Sequence, residues 1–460
     1  VTRAEALARI ESYFDDGGYF TELARRVAIR TESQELDRRS DLHHYLHDEI
    51  APSLEQIGFT ATVHPNPDEP DGPPLLLAHR HESDRRPTVL GYGHGDVVRG
   101  YDDQWRDGLS PWRLEKVGDR WYGRGTADNK GQHTINLAAM ANVLETRGEL
   151  GFNSTILIET GEETGSPGLR TFCAEHRAEL VADVLLASDG PRLAPDRPTI
   201  FMGTRGALNF DLHLDLRDGG HHSGNWGGLL ANPGVILSHA IASMIGRHGE
   251  ILIPEVRPDG VPAPISAAIR DLEVGGGDGA PAIDADWGEP GLSPAERVFG
   301  WNTLEVLAFT TGNPDKPVNA IPPTARAHCQ IRFVVPSDPD TMLAGVRRHL
   351  DELGFDAIEV TVPHIPMMAT RLDPDHPWVE WAAASIAKTI GEPPTVLPNL
   401  GGSLPNDIFA DLLGVPTVWV PHSYAGCSQH APDEHLLAPI AREALRLMTG
   451  LYWDLGERPF

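Results

Sequence analysis

Apolar residues recur every three to four positions over 2–14, 20–28 and 41–57, and that spacing predicts three amphipathic helices at the start of the chain. The pattern then tightens. Residues 87–93, 153–160 and 184–187 form short, nearly continuous apolar runs, as expected of strands buried on both faces. Each run ends at or just before side chains able to bind a metal: His94, the pair Glu162 and Glu163, and Asp189. In open α/β sheets ligands gather beyond the carboxyl ends of the strands, so these ends define one rim. A helix over 131–145 follows Asp128.

Near Gly206 the texture changes. Alternation over 208–214, strand-like runs at 304–309 and 325–335, and helical spacing at 232–244 and 341–353 predict a self-contained α+β unit. Residues 253–294, rich in Pro, Gly and Asp, read as a long irregular excursion. The first texture then returns, with a helix over 378–390, a strand over 415–420 and a closing helix over 436–451. His430 lies in this last segment, so a site shared with His94 requires both ends of the chain to build one domain. The expected fold is α/β: a mixed-sheet catalytic domain with helices on both faces, from 1–205 and 371–460, and an inserted α+β lid or dimerisation domain over 206–370.

A chain of 460 residues is too long for one core, which agrees with that division. Its formal charge of −28 argues against nucleic acid and against anionic membranes, both of which recruit a surplus of Lys and Arg. Cys173, Cys329 and Cys427 are too few and too scattered for a disulfide framework, so a reducing cytoplasm is expected. The first residues lack an apolar signal core, and no run is long enough to span a bilayer.

Five short motifs carry the chemistry: residues 93–97 (His94, Asp96), 123–131 (Asp128), 161–166 (Glu162, Glu163), 188–190 (Asp189) and 429–434 (His430). Imidazoles mixed with carboxylates suit zinc, manganese or cobalt, whereas an all-oxygen set would point to magnesium or calcium. Taken singly, each motif has an ordinary explanation. His94 fits a solvated loop, Glu162 and Glu163 fit exposed loop acids, and Asp433 and Glu434 fit the start of a helix. Their conjunction, with three of them following buried strands, points to metal-assisted hydrolysis.

On these motifs, above all 123–131 and 161–166, the chain resembles the co-catalytic zinc peptidases. That family includes carnosine dipeptidase, aminoacylase, glutamate carboxypeptidase and succinyl-diaminopimelate desuccinylase. Residues 249–254 and the lid length are most similar to the carnosine dipeptidase branch. The resemblance implies two divalent ions per chain, zinc first and manganese or cobalt otherwise. His94, Asp128 and Asp189 would hold one and Asp128, Glu163 and His430 the other, with a cis peptide after Asp128. It makes Glu162 the general base and His222 an oxyanion donor supplied by the lid of a partner subunit in a homodimer; the chemistry of the 93–97 motif itself makes Asp96 the acceptor of the other His94 ring N–H or an orienting group of the site. It gives Arg332, Gly402 and Ser403 the grip on a substrate carboxylate. Gly95 and residues 99–103 depart from the family pattern and are expected to alter the pocket beside the metals. The implied activity is hydrolysis of an amide or peptide bond in a small substrate with a free carboxylate, as by a dipeptidase or carboxypeptidase. An N-acyl amino acid deacylase or an aminohydrolase is the alternative, and a catalytically silent binding or scaffold protein the remote one.

Overall fold

The short apolar runs become the centre of an eight-stranded mixed sheet. In the computed structural model, which describes residues 1–275, 281–363 and 365–457, its strands lie in the order Thr60–His64, Leu75–Arg80, Asn153–Glu159, Thr88–His94, Val184–Ala187, Thr417–Trp419, Thr199–Phe201 and Thr395–Leu397. The three strands that lead to the acidic and histidine motifs are mutually parallel, so their carboxyl ends share one rim. Alternation divides their side chains between two cores. Ile156, Ile158 and Leu186 face the helices Lys130–Arg147 and Ala438–Glu457, while Leu157, Leu185 and Ala187 face Phe172, Ile408 and Phe409.

The middle of the chain forms a separate antiparallel sheet, in the order Thr303–Thr311, Thr324–Phe333, Gly206–Asp215 and Glu359–Thr361. Leu208, Phe210, Leu212 and Leu214 alternate onto one face and pack against Leu237, Met244, Met342 and Val346 from the helices Pro233–Met244 and Pro339–Glu352. Asn232 and Asp338 cap those helices through side-chain acceptors. The opposite face is polar, with Asn209, Gln330 and Arg332 linked by hydrogen bonds.

Three elements differ from the sequence reading. The helix expected over 41–57 contains a wider π-type turn at Tyr45–Ile50 between two α-helical pieces. Pro52 explains the location, because it has no N–H for the carbonyl one turn earlier. The closing helix begins at Ala438, runs to Glu457, and leaves His435–Leu437 to pair as a strand with Arg120–Tyr122. The stretch 253–294 is not wholly irregular: it contains the helix Ala263–Ile269, in which Ile265 and Ile269 sit one turn apart and pack into the second core beside Leu404 and Ile408. Part of that stretch, 276–280, lies outside the described residues.

The chain ends are tied together by one carboxylate. Asp454 accepts from Arg3 at 2.9 and 3.0 Å, from Lys388 at 2.7 Å and from Ser385 at 2.7 Å. Burial alone would raise its pKa, but hydrogen bonds from Lys388, Arg3 and Ser385 together hold it below the ordinary carboxylate value. A depressed folded-state pKa contributes stability above the unfolded value of about 3.9, and that contribution is lost as pH falls through the folded value. Asp454→Asn is therefore expected to lower the unfolding free energy by about 2 kcal/mol at neutral pH. The difference between the two proteins should begin to shrink as pH falls below about 4 and vanish only below the depressed folded-state pKa of Asp454.

Candidate metal centre

The sheet rim brings six side chains from five motifs together. His94 is the last residue of its strand and fully buried, with Nε2 2.9 Å from Asp128 Oδ1 and 3.5 Å from Asp189 Oδ2. His430 Nε2 lies 3.0 Å from Asp128 Oδ2 and 3.1 Å from Glu163 Oε2. Two donor groups result, His94 with Asp128 and Asp189, and Asp128 with Glu163 and His430; the donor atoms within each lie within 4.8 Å of one another, and Asp128 belongs to both. Glu163 Oε1 and Asp189 Oδ2 are buried and have no hydrogen-bond partner. Buried anionic oxygens without donors are costly, and imidazole with carboxylate is the ligand chemistry of zinc, manganese and cobalt. These residues therefore fit a pair of divalent cations.

Electrostatics describe the same crowding. Burial would raise the Asp128 pKa, but hydrogen bonds from His430 and His94 hold it well below the ordinary value. Hydrogen bonds to Asp128 and then Glu163 push His430 up to about 11. Burial first, and the charge of Asp128 next, push Glu163 up to about 7. Burial is also the leading cause that raises Glu162.

A layer behind the rim fixes these groups. The Asp96 carboxylate accepts from the backbone N–H groups of Glu162 and Glu163 at 3.2 and 3.1 Å, and its Oδ1 lies 3.3 Å from His94 Nδ1. It thus orients three motif residues at once. Glu434, for which the start of a helix is the ordinary explanation, is buried: its Oε1 accepts from the N–H groups of Gly125, Ala127 and Asp128 at 3.0, 2.9 and 3.1 Å, while Oε2 pairs with Arg124 at 2.7 Å. On the other side, Tyr45 meets His133 at 2.6 Å, His133 meets Asn129 at 3.0 Å, and Asn129 donates to the Ser188 carbonyl at 2.9 Å. The Asp128–Asn129 peptide is cis. Ser428, His430 and Asp433 have φ of 56°, 61° and 63°, a region L-residues adopt at a cost, so the surrounding contacts must hold this loop.

A cavity of about 500 Å³ opens in front of the metal ligands. Asp128, Glu162, Asp189 and His430 line it together with Arg332, Gly402 and Ser403. Arg332 Nη1 donates to Ser403 Oγ at 2.6 Å, and that hydroxyl donates to the Arg205 carbonyl at 2.6 Å. Neither Gly95 nor residues 99–103 line this cavity, contrary to expectation. The space beside Gly95 is filled by the Tyr45 ring, 2.5 Å from where a Cβ would stand, and Arg99 is drawn away to Glu35. His222 is exposed on the lid, accepts from the N–H of Gly224 at 3.1 Å, and does not line the cavity of its own chain.

Comparison with known proteins identifies the family. The model of peptidase family M20/M25/M40 matches residues 90–453. The chain belongs to this family. As such it is a metal-dependent peptidase, and the two donor groups are where its divalent ions fit. The peptidase is similar to a cysteinylglycine-S-conjugate dipeptidase of Corynebacterium striatum, at 26% identity over 395 residues and 84% of each chain. It is similar also to the β-Ala-His dipeptidase of Homo sapiens, at 26% over 442 residues, covering 88% of this chain and 84% of the relative. The solved structure of human carnosine dipeptidase 1 shares the fold, with a TM-score of 0.80 at 20% identity over 99% of this chain and 100% of that one. Among the described residues no helix is long and apolar enough to cross a membrane, and the three cysteines are free and buried.

Because Glu434 neutralises Arg124 and collects three backbone donors, Glu434→Leu leaves a buried guanidinium and an empty N–H cradle. This variant is expected to lose about 3–5 kcal/mol of unfolding free energy, measured by chemical denaturation. A change below about 1 kcal/mol would show that Glu434 does not organise the Asp128 turn.

Proposed function

We propose that this peptidase hydrolyses dipeptides with a free carboxylate, holding two divalent cations, zinc first and manganese or cobalt otherwise. The observation that carries the reading is one cavity that joins the metal-ligand groups to the Arg332 and Ser403 pair. The relatives' printed activities, on cysteinylglycine conjugates and on β-Ala-His, support it. Bound cations would polarise the scissile carbonyl and acidify the attacking water. Glu162, on the cavity wall, takes the water proton and passes it to the leaving amine. Asp96 keeps Glu162 and Glu163 in their separate roles through their backbones. Arg332, with a planar guanidinium suited to carboxylate, and Ser403 beside Gly402 hold the substrate's C-terminus.

The metal-loaded enzyme is expected to release free amino acids from dipeptides. Glu162→Gln should keep both metal equivalents and lose about a thousandfold in kcat. Glu163→Gln should lose one equivalent, and Asp128→Ala should lose both. Turnover, together with metal analysis of the purified variants, tests these roles. Release of amino acids from N-acyl amino acids alone would replace the dipeptidase reading with deacylation.

We also propose that the lid mediates a homodimer and that His222 serves the partner's site as oxyanion donor. In support, the lid's edge strand Thr303–Thr311 exposes Val306, Leu307 and Phe309, and the helix Pro233–Met244 exposes Val235. Inactive His222→Ala and inactive Glu162→Gln chains, exchanged into heterodimers, should regain up to about a quarter of the wild-type activity, because each heterodimer holds one intact site. Exchanged heterodimers that stay inactive would overturn the shared site and mean that His222 acts in its own chain or not at all.

A further inference from the structure

The cavity has a part that neither the metal ligands nor the carboxylate grip uses. Leu193, Val298, Phe299, Leu397, Leu400 and Leu404 line it, and all belong to or pack against the second hydrophobic core. Phe299, Leu397, Leu400 and Leu404 are buried, so this wall is held by the packed interior and does not depend on exposed loop tips. Val298 sits on the short helix Pro294–Phe299 and closes on the substrate-binding loop, where a Cβ added to Gly401 would come within 3.1 Å of it. Arg192 also touches the cavity, and its guanidinium is engaged by Glu443 at 2.7 Å.

Among the described residues, the charged ones lining the cavity apart from Arg192 are Asp128, Glu162, Asp189, His430 and Arg332, all assigned above to metal, base or carboxylate. A dipeptide that presents its scissile carbonyl to the metals and its carboxylate to Arg332 and Ser403 spans the cavity with its C-terminal residue. That residue's side chain has to lie against the remaining lining. A charged side chain there would lose its water for little return, since the unpartnered Nη2 of Arg192 is itself buried and Glu443 already balances that guanidinium, whereas a branched or aromatic one removes apolar surface from water on both sides. A glycine would leave the wall unfilled.

We propose that this apolar wall selects dipeptides whose C-terminal residue carries a large apolar side chain, such as leucine or phenylalanine, over those ending in glycine or a charged residue. The proposal rests on the dipeptidase reading above and adds to it a substrate class. Val298 and Leu193 are the specificity-determining positions, since both are only partly buried and present their side chains to the cavity.

The test compares kcat/KM of the manganese-loaded full chain on Ala-Gly, Ala-Leu, Ala-Phe, Ala-Asp and Ala-Lys, and measures binding of free leucine and glycine by calorimetry. Ala-Leu and Ala-Phe are expected to exceed the other three by about tenfold or more, and leucine to bind more tightly than glycine by a similar factor. Val298→Ala, and Leu193→Ala as a second variant should the first fail to fold, are expected to lower the Ala-Leu to Ala-Gly ratio by about fivefold. Equal rates on Ala-Gly and Ala-Leu, or a preference for Ala-Asp or Ala-Lys, would overturn the selectivity and leave dipeptide hydrolysis standing. If none of the five peptides is cleaved, the dipeptidase reading falls, and the leucine-to-glycine binding ratio then decides the pocket alone.

Discussion

Four carboxylates, Asp128, Glu162, Glu163 and Asp189, stand with two imidazoles at one rim of the sheet, a fifth, Asp96, lies just behind them, and most of these groups are withdrawn from water. Like charges at this spacing repel, and each loses hydration, so the arrangement opposes folding unless the surroundings compensate. The chain compensates in two ways. Backbone N–H groups are aimed at Asp96, and His94 and His430 are placed against Asp128. The remainder, including the donorless oxygens of Glu163 and Asp189, suits a pair of cations. The two-sided core of the sheet is what holds such a cluster in place. Strands buried on both faces keep the rim's geometry even though the rim itself contributes little to cohesion.

Much of this was legible because it is local. Buried strands announce themselves as short apolar runs, and a polar residue at the end of such a run has few places to go but the rim, so His94, Glu163 and Asp189 could be placed from the sequence. Asp128 and His430 follow from motif and resemblance. What stayed hidden is long-range. Glu434 looks like any acid before a helix, and only the fold shows its carboxylate capping backbone 307 residues earlier, at Ala127. Nearby, Leu436 and Leu437 read as the start of the closing helix, yet with His435 they pair as a strand with Arg120–Tyr122. Local helix propensity lost to tertiary pairing there. Tyr45 is a similar case. Nothing near it in sequence says that its ring occupies the space beside Gly95 and steadies His133.

The motifs and the cavity wall also differ in kind. A histidine or a carboxylate at a strand end carries a chemical signature, so the machinery for cleaving a bond can be read from few residues. An apolar wall carries none: Leu193, Val298 and Leu400 are indistinguishable in sequence from ordinary core residues. Val298 comes from a short helix just after a Pro- and Gly-rich stretch that reads as irregular, in the middle of the chain, and it closes on Gly401 from the last segment. The reaction and its selectivity are therefore encoded at different levels. Exchanging one apolar residue for another along that wall leaves every metal ligand untouched while changing which side chain fits. Selectivity thus depends on packing that only the folded chain assembles, while the metal ligands stand on motifs that each occupy a few consecutive residues.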